Sequence, residues 1–328
     1  MDKSVLKALK SASLLTDQEF DLGYIPTGSF ALNRVISGSY SNGFPIGYIT
    51  QIDGQSSTAK TVFATQALAE AQKLGYYTVL VDTENAFSAE FAKVLGIDPD
   101  ELIYTAPPTL EDSFDYMEKL VKEIREKDQD TPIVIAFDSI AVCPVRAEME
   151  GDGYTQNNML GGLRARITGD CLRRFNTLVR DEKIALIVIN QLREKIGVMY
   201  GDPSTPAGGG KSLPYYLGVG LRTTSAKGDR ILDGNKNVIG IQGKVRNTKN
   251  KVSIPFRETG FELIFNYGLN PYYGLLPSLV EDGLIEQSGS WYTEVTTGTK
   301  FQKKGFEDLL LQDDTFEGIR EKLGIERQ

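Results

Sequence analysis

The chain has 328 residues, of which 41% are hydrophobic, and its 44 acidic and 36 basic side chains give a net charge of −8. This length allows one large domain with a substantial core and smaller appendages. Because the sequence contains no histidine, it excludes Ser-His-Asp triads, Cys-His dyads and most catalytic zinc sites.

The segment 1–23 is predicted to form a short helix followed by a linker. It has a charged start but no apolar stretch followed by a small-residue cleavage site, so we expect no signal peptide. No apolar run approaches the roughly 20 residues needed to cross a bilayer. Cys143 and Cys171 have no metal-ligand spacing. We therefore expect a cytoplasmic protein without a membrane partner.

From residue 24 onward, apolar strands alternate with amphipathic helices. The first strand ends at Asp53-Gly54, and the later predicted strands are 76–84, 132–140 and 184–191. The predicted helices are 61–75, 88–96, 110–127 and 163–181. Near-continuous apolar strands that alternate with helices indicate an α/β fold, with a mostly parallel sheet covered by helices on both faces.

The pattern changes after residue 215. Shorter β-branched segments, 238–245 and 251–256, predict an antiparallel extension of the sheet. From about Gly268 a small α+β region begins, which contains the single tryptophan, Trp291. The predicted parts of the chain are therefore 1–23, a core over 24–267, and a C-terminal region over 268–328.

The strongest motif runs from Gly54 to Thr61, between a predicted strand and a predicted helix. This is the context of a P-loop, in which backbone N–H groups and a helix N-terminus face a phosphate. Lys60 would place its charge on the β and γ phosphates, and the Thr61 hydroxyl would ligate Mg²⁺. A lysine-bearing turn before an ordinary helix is the alternative. The predicted nucleotide-binding residues here are Gly54, Gln55, Ser56, Ser57, Thr58, Ala59, Lys60 and Thr61.

Ala59 departs from the motif G-x4-G-K-[ST], which has glycine at this position. Alanine tolerates a positive φ poorly but fits the right-handed start of a helix. We therefore expect Ala59 to be right-handed and the loop to form in spite of the substitution.

Three further strand ends carry polar side chains. Asp138 follows buried aliphatic residues at the Walker B position, where it would hold Mg²⁺ together with Thr61, unless it is a turn aspartate. Glu84 could orient the water that attacks the γ-phosphate. Asp82, on the same strand face, could take this role instead, and a solvated acid is a third interpretation. Gln191 could contact the γ-phosphate and signal its presence to the loop that follows. Alternatively, its side-chain amide could be buried and hydrogen-bonded to the backbone.

These motifs belong together in a known pattern: the chain resembles the RecA family of homologous recombinases, both bacterial members and shorter phage members of the UvsX kind. The resemblance covers about residues 24–292, including the P-loop. It is carried by the segments IPTGSFALNRVISG, VDTENAF, IAFDSIAV, INQLREKIGVMYGDP and KNKVSIPF. It implies a RecA-type core, an oligomerisation role for the helix of segment 1–23, and helical filaments on single-stranded DNA. It also implies ATP and Mg²⁺ at subunit interfaces, and pairing with homologous double-stranded DNA followed by strand exchange.

The resemblance also assigns roles to individual residues. Glu84 matches the catalytic glutamate and Gln191 the γ-phosphate sensor. Lys249 and Lys251 match a pair that reaches the ATP of the neighbouring subunit, although their bare sequence indicates only a basic turn. Phe91 matches an aromatic that lies against adenine, with a core phenylalanine as the alternative. Together with Lys60, the first four residues form the predicted catalytic set.

Two glycine-rich loops, 150–162 and 192–210, are predicted to bind DNA, and residues 164–211 are locally basic in spite of the acidic total. Arg166 and Arg173 lie seven residues apart on a helix, hence on one face. They match positions that contact the phosphate backbone, and a solvated arginine stripe is the alternative. The residues that the resemblance assigns to DNA are Met159, Gly162, Arg166, Arg173, Arg193, Lys195, Ile196, Gly208, Gly209 and Gly210.

Some departures from the family pattern affect these expectations. Pro214 and Gly220 replace basic residues that in bacterial members also reach the neighbouring ATP, and 208–210 holds one glycine more than usual. The short N-terminal and C-terminal regions favour a phage or phage-like origin. We expect a DNA-dependent ATPase, with single-stranded-DNA-binding and mediator proteins as further partners. The alternatives are a hexameric RecA-fold helicase and a non-hydrolysing filament that coats single-stranded DNA.

Overall fold

The computed structural model of the chain describes residues 22–150, 160–194, 204–207, 212–226 and 229–325. The helices are α1 (Phe30–Ser37), α2 (Lys60–Lys73), α3 (Ala89–Val94), α4 (Leu110–Arg125), α5 (Arg146–Met149), α6 (Leu160–Asp181), α7 (Leu213–Tyr216), α8 (Leu275–Glu281), α9 (Phe306–Gln312) and α10 (Glu317–Leu323). The strands are β1 (Tyr24–Ile25), β2 (Phe44–Pro45), β3 (Tyr48–Gly54), β4 (Tyr77–Asp82), β5 (Leu102–Thr105), β6 (Ile133–Asp138), β7 (Ile184–Glu194), β8 (Ser204–Pro206), β9 (Leu217–Thr224), β10 (Arg230–Leu232), β11 (Val238–Asn250), β12 (Glu258–Ile264), β13 (Gly268–Leu269), β14 (Ile285–Ser288), β15 (Trp291–Glu294) and β16 (Lys300–Gln302). Within these ranges, no helix has the length and apolar character that crossing a bilayer requires. The helix predicted in segment 1–23 lies outside the described residues.

Eleven strands of the described chain form one sheet, whose main path runs β13-β12-β11-β9-β3-β7-β6-β4-β5. From β9 to β5 all neighbours are parallel. From β9 to β13 they are antiparallel, as are β10 on β11 and β8 on β7. The predicted α/β fold, with its mostly parallel sheet and antiparallel extension, is confirmed.

Both faces of the parallel strands are buried, because successive side chains of a strand point to opposite faces. Along β6, Ile133, Ile135 and Phe137 belong to a core layer shared with α4 and α6, while Val134 and Ala136 belong to the layer of α2. All five side chains are fully buried. Burying one large aliphatic or aromatic side chain contributes about 1.5–3 kcal/mol, so the strand is a firm support for the residues at its carboxyl end.

The strand register brings the polar strand ends to one edge of the sheet. Gly54 of β3 pairs with Gln191 of β7. Asp82 of β4 pairs with Asp138 of β6, which lies next to β7. The predicted site residues of four strands therefore end at the same level.

The segment 251–256 is a turn, so its prediction as a strand was wrong. The side-chain Oδ1 of Asn250 accepts hydrogen bonds from the backbone N–H groups of Val252 and Ser253, both at 2.9 Å. Pro255 has no N–H to offer a neighbouring strand. The local side-chain acceptor and the proline outweigh the β-branched composition.

A third cluster of buried side chains builds the C-terminal region, around α8, α9, α10 and the small antiparallel sheet β14-β15-β16. Arg34 of α1, only 4% exposed, ties this region to the core. Its Nε donates to Asp282 Oδ2 (2.7 Å) and its Nη1 to Glu281 Oε2 (2.9 Å). The Tyr40 hydroxyl also donates to Asp282 (2.7 Å). Removing Asp282 would leave the charge of the buried Arg34 without this partner, which destabilises a fold.

Candidate functional site

Residues 55–59 form a loop between the carboxyl end of β3 and the first turn of α2. The Thr58 hydroxyl donates to the Gln55 carbonyl (2.8 Å) and lies 2.7 Å from the Thr223 hydroxyl of β9. Gly54 is needed for this close approach, because a Cβ at that position would lie 2.2 Å from Thr223 Oγ1. The loop therefore closes in front of the α2 N-terminus, where unpaired N–H groups favour an anion.

Ala59 adopts the left-handed conformation, with φ 64° and ψ 18°, so the predicted right-handed conformation was wrong. The shape of the loop demands a positive φ immediately before the helix, which glycine meets without strain. For alanine this conformation costs about 1–2 kcal/mol, because its Cβ approaches the following carbonyl. The chain thus keeps the shape of the loop at a cost in stability.

The first two residues of α2 contact the loop and the neighbouring strand end. Lys60 Nζ donates to the Gln55 carbonyl (2.6 Å). Thr61 Oγ1 donates to Asp138 Oδ2 (2.6 Å). The structure therefore brings together the two predicted metal ligands, a hydroxyl and a carboxylate, which are oxygen donors of the kind that Mg²⁺ prefers.

Burial dominates the electrostatics of this cluster. It lowers the pKa of Lys60, and the charges of Asp138, Glu84 and Asp53 oppose that change. It raises the pKa of Asp138 to about 6, opposed by the hydrogen bond from Thr61. A cation beside Asp138 would favour its charged form, so the cluster fits a divalent metal ion.

The Glu84 carboxylate lies between two donors from the next strands of the sheet. The hydroxyl of Ser139 donates to Glu84 Oε1 over 2.7 Å, and Nε2 of Gln191 donates to the same oxygen over 3.0 Å. Sequence analysis missed the contact of Ser139, although this serine directly follows the Walker B aspartate. Both contacts orient the carboxylate at the edge of the cavity described below.

Asp82 has a different environment from Glu84. It is buried and accepts hydrogen bonds from the N–H groups of Glu84 (3.1 Å) and Phe87 (3.1 Å) and from the Tyr104 hydroxyl (3.2 Å). These contacts hold the turn that follows β4. Of the two acids that the sequence left open, the geometry therefore favours Glu84 as the one that acts on a ligand.

A cavity of about 450 Å³ connects these elements, a volume typical of small-molecule sites. Its polar part is formed by residues 56–61, Glu84, Asp138 and Gln191. Phe91 also lines the cavity and packs against the core layer of α2. Its position is therefore compatible both with a contact to adenine and with a role in the core. The opposite, apolar part is formed by residues that sequence analysis missed, namely Ile241, Leu263 and Phe265.

Lys249 and Lys251 do not contribute to the cavity that the described residues line. Lys249 pairs with Gly220 of β9, which pairs with Gln51 of β3, three residues before Gly54. At about 3.3 Å per residue, the lysine lies about 10 Å back along the strands, towards their amino ends. The backbone of Lys249 is therefore set back from the P-loop of its own chain.

Pro214 and Gly220, which replace basic residues of the family pattern, both contact Lys249. Its ammonium donates to the carbonyl of Pro214, and Gly220 pairs with it across the ladder. A Cβ at Gly220 would lie 2.8 Å from Thr248 Oγ1 and 3.4 Å from Lys249 Cβ. Partial burial and the charge of Lys251 lower the pKa of Lys249.

The predicted DNA-contacting arginines lie on α6. Arg166 and Arg173 are exposed, and Arg173 lies 3.4 Å from an Asp170 carboxylate oxygen. Gly162 is in the first turn of α6 instead of the preceding loop, because the helix begins at Leu160. The predicted DNA-contacting residues outside the described part are Met159, Lys195, Ile196, Gly208, Gly209, Gly210 and the side chain of Arg193.

Arg164 of α6 differs from Arg166 and Arg173 because its guanidinium is hydrogen-bonded to backbone carbonyls of the chain. Its Nη2 donates to the carbonyls of Ala141 (2.7 Å) and Cys143 (2.8 Å), and to that of Ile140 (3.3 Å). These carbonyls belong to the segment that follows β6. Arg164 therefore stabilises this segment.

Known proteins match the chain over the whole of this site. A family model described as the RecA N-terminal domain matches residues 5–270. Protein RecA of Saccharopolyspora erythraea is 35% identical over 309 residues, covering 93% of this chain and 85% of that protein. Protein RecA of Thermus aquaticus is 35% identical over 339 residues, covering 98% and 95%. The matched region contains the sheet, the cavity and α6.

Proposed function

The chain belongs to the RecA family of DNA strand-exchange recombinases, and we propose that ATP hydrolysis in the 450 Å³ cavity drives its activity. In this proposal the core 24–267 forms helical filaments on single-stranded DNA, flanked by the segments 1–23 and 268–328. The ATP-bound filament pairs the strand with homologous double-stranded DNA.

The observation that carries the proposal is the grouping of Lys60, Thr61 and Asp138 with Glu84 and Gln191 around one cavity. Lys60 and the backbone N–H groups of the loop would bind the β and γ phosphates. Thr61 and Asp138 would hold Mg²⁺, which when bound neutralises negative charge between these phosphates. Phe91 would lie against the base.

Glu84 would act as the general base on the attacking water. Its carboxylate would accept the water proton, while Ser139 and Gln191 fix its orientation through the hydrogen bonds at 2.7 and 3.0 Å. Gln191 would also donate to the γ-phosphate. β7 continues from Gln191 to Glu194, within the predicted DNA-binding segment 192–210. A displacement of the Gln191 side chain would therefore change the position of that segment on DNA.

Contacts to DNA and to the neighbouring subunit complete the proposal. Arg166 and Arg173 would bind phosphates of single-stranded DNA, which gives affinity without base specificity. Lys249 and Lys251 would reach the ATP of the next subunit, since neither lines the cavity that the described residues form in their own chain. ATP would then be held between two subunits of the filament.

Turnover and assembly test this proposal together. We expect ATP hydrolysis that single-stranded DNA stimulates, and helical filaments in electron micrographs with ATP, Mg²⁺ and DNA. Lys60→Ala, the control, should lose hydrolysis and the ATP-dependent extension of the filament. Closed rings that unwind duplexes with a polarity would instead identify a helicase, and filaments without turnover would identify a DNA-coating scaffold.

A further inference from the structure

Arg222 and Asp53 form an ion pair directly behind the phosphate-binding loop. Asp53 immediately precedes Gly54 and is 2% exposed, and Arg222 lies opposite it in the β3–β9 register. Nε of Arg222 donates to Asp53 Oδ1 over 2.7 Å, and Nη2 to Oδ2 over 3.3 Å. The guanidinium therefore contacts both oxygens of a carboxylate that is almost wholly removed from water.

A buried acid at this position opposes the binding of a triphosphate. Its charge acts on the loop, since Asp53 is one of the acids that counteract the lowering of the Lys60 pKa by burial. The field that stabilises the Lys60 ammonium also repels phosphate oxygens, and it is weakly screened because little water surrounds Asp53. A positive charge in contact with Asp53 cancels much of this repulsion.

We infer that Arg222 is a charge-compensating, positioning residue of the nucleotide site, which neutralises Asp53 so that the triphosphate can bind on the other side of the loop. This inference rests on the proposed binding of ATP. Arg222 acts through Asp53 and is not part of the cavity wall that the described residues form around the P-loop. It lines a second cavity of about 370 Å³ on the far side of the loop.

The residue after Arg222 fixes the same loop mechanically. Thr223 Oγ1 donates to the backbone carbonyl of Asp53 (3.3 Å) and lies 2.7 Å from the Thr58 hydroxyl. The strand β9 therefore contacts both the Asp53 carboxylate, through Arg222, and the loop itself, through Thr223. A mechanical role alone would predict that every change in this pair weakens binding, whereas charge compensation predicts opposite signs for the two partners.

Asp53 also belongs to a chain of side chains that crosses three strands. Nε2 of Gln51 donates to Asp53 Oδ2 (3.0 Å), and Nδ2 of Asn190 donates to Gln51 Oε1 (3.2 Å). Asn190 directly precedes Gln191. The acid that needs compensation thus links β9 to the strand that carries the proposed γ-phosphate sensor.

The opposite signs can be measured by binding of a fluorescent ATP analogue with Mg²⁺, without DNA. We expect Arg222→Met to weaken binding by at least about tenfold, because it leaves the charge of Asp53 without this contact. Asp53→Asn should bind at least as tightly as the wild type. The double variant Asp53→Asn/Arg222→Met should return to within about threefold of the wild type, since no charge is left to compensate.

Steady-state hydrolysis on DNA adds a second readout. In Arg222→Met the KM for ATP should rise while kcat at saturation stays within about twofold, since the residue affects binding before chemistry. Lys244→Met is the matched control. Lys244 lines the same second cavity but is 69% exposed and pairs with Glu258, so its loss should change affinity by less than about threefold.

Three results would overturn the inference: weaker binding by Asp53→Asn, a double variant as weak as Arg222→Met, or an Arg222→Met variant that binds as the wild type does. If Arg222→Met does not fold, which thermal unfolding shows, the other two variants still decide the question: binding more than about threefold weaker than the wild type by Asp53→Asn or by the double variant overturns the inference. Failure of the wild type to bind the ATP analogue would instead count against the proposed function. Normal wild-type binding with an unaffected Arg222→Met would count against the inference alone.

Discussion

Gln191 and Glu84 are joined by a hydrogen bond from the amide Nε2 to the carboxylate Oε1, over 3.0 Å. The two residues are 107 positions apart in the chain, and β6 lies between their strands in the sheet. Ser139, which follows β6, donates to the same oxygen. Three strand ends thus orient one carboxylate at the cavity, which makes Glu84 the first residue to test.

Replacing Glu84 with glutamine should leave ATP binding intact and slow hydrolysis by about 10²–10⁴-fold, because the amide cannot accept the water proton. Filaments on DNA should then persist. Single-turnover hydrolysis and nucleotide binding measure the two effects separately.

Asp82→Asn is the control for Glu84→Gln, since it changes an acid two residues away. Asp82 holds the turn after β4 through its contacts to Phe87 and Tyr104. The variant should lose about 1–3 kcal/mol of stability, with a smaller effect on turnover. Normal hydrolysis by Glu84→Gln together with an inactive but folded Asp82→Asn would transfer the role of base to Asp82.

Ala59→Gly should stabilise the protein. The left-handed alanine costs about 1–2 kcal/mol, and glycine recovers part of this after its own entropic cost of about 0.5–1 kcal/mol. We expect a net gain of up to about 1.5 kcal/mol, or up to about 2 °C in Tm, without weaker ATP binding.

A helical alanine provides the comparison for Ala59→Gly. Ala67 lies within α2, so Ala67→Gly should lower stability by about 1 kcal/mol or more. Calorimetry of both variants tests the sign. Destabilisation by both would show that Ala59 is not strained in solution.

Arg166→Ala and Arg173→Ala should weaken binding to single-stranded DNA equally for all sequences, because phosphate contacts carry no base information. Each should reduce the slope of log K against log salt by about 0.7, the value for one contact to a single strand. Fluorescence anisotropy at several salt concentrations measures this.

Arg174→Ala removes the same charge from the adjacent position as a control. Arg174 pairs with Glu118 of α4 at 2.7 Å, and its position lies about 100° around α6 from that of Arg173. Its loss should leave the salt slope unchanged. Equal slopes for all three variants and the wild type would show that Arg166 and Arg173 do not contact DNA phosphates and are ordinary solvated surface residues.

The sequence predicted those parts of the site that depend on pattern along the chain. The P-loop, the parallel strands and the acids at their ends follow from spacing and hydrophobic runs. The contact between Ser139 and Glu84 and the pair of Asp53 and Arg222 depend on strand order and register, which no local pattern contains. At Ala59 the propensity of the residue predicted the wrong conformation, because the loop imposes its shape on any residue there.

The most direct test of a shared nucleotide site concerns Lys249 and Lys251. Neither lysine lines the cavity that the described residues form at their own P-loop, and in the proposal they stabilise the phosphates of the neighbouring subunit's ATP in the transition state, as an arginine finger does. The double variant Lys249→Ala/Lys251→Ala should still bind ATP in its own cavity. It should lose DNA-stimulated hydrolysis and the ATP-dependent tightening of the filament.

Complementation follows from this geometry. The double variant keeps an intact P-loop but lacks the lysines, whereas Lys60→Ala keeps the lysines but lacks the P-loop charge. In mixed filaments some interfaces combine the intact half of each protein, so turnover should reappear and reach a maximum near equal mixing. ATPase activity against mixing ratio on single-stranded DNA measures this, with co-assembly shown by labelled subunits. Mixed filaments without any recovered turnover would contradict catalysis across the interface, since every other requirement for hydrolysis is then present in one polymer.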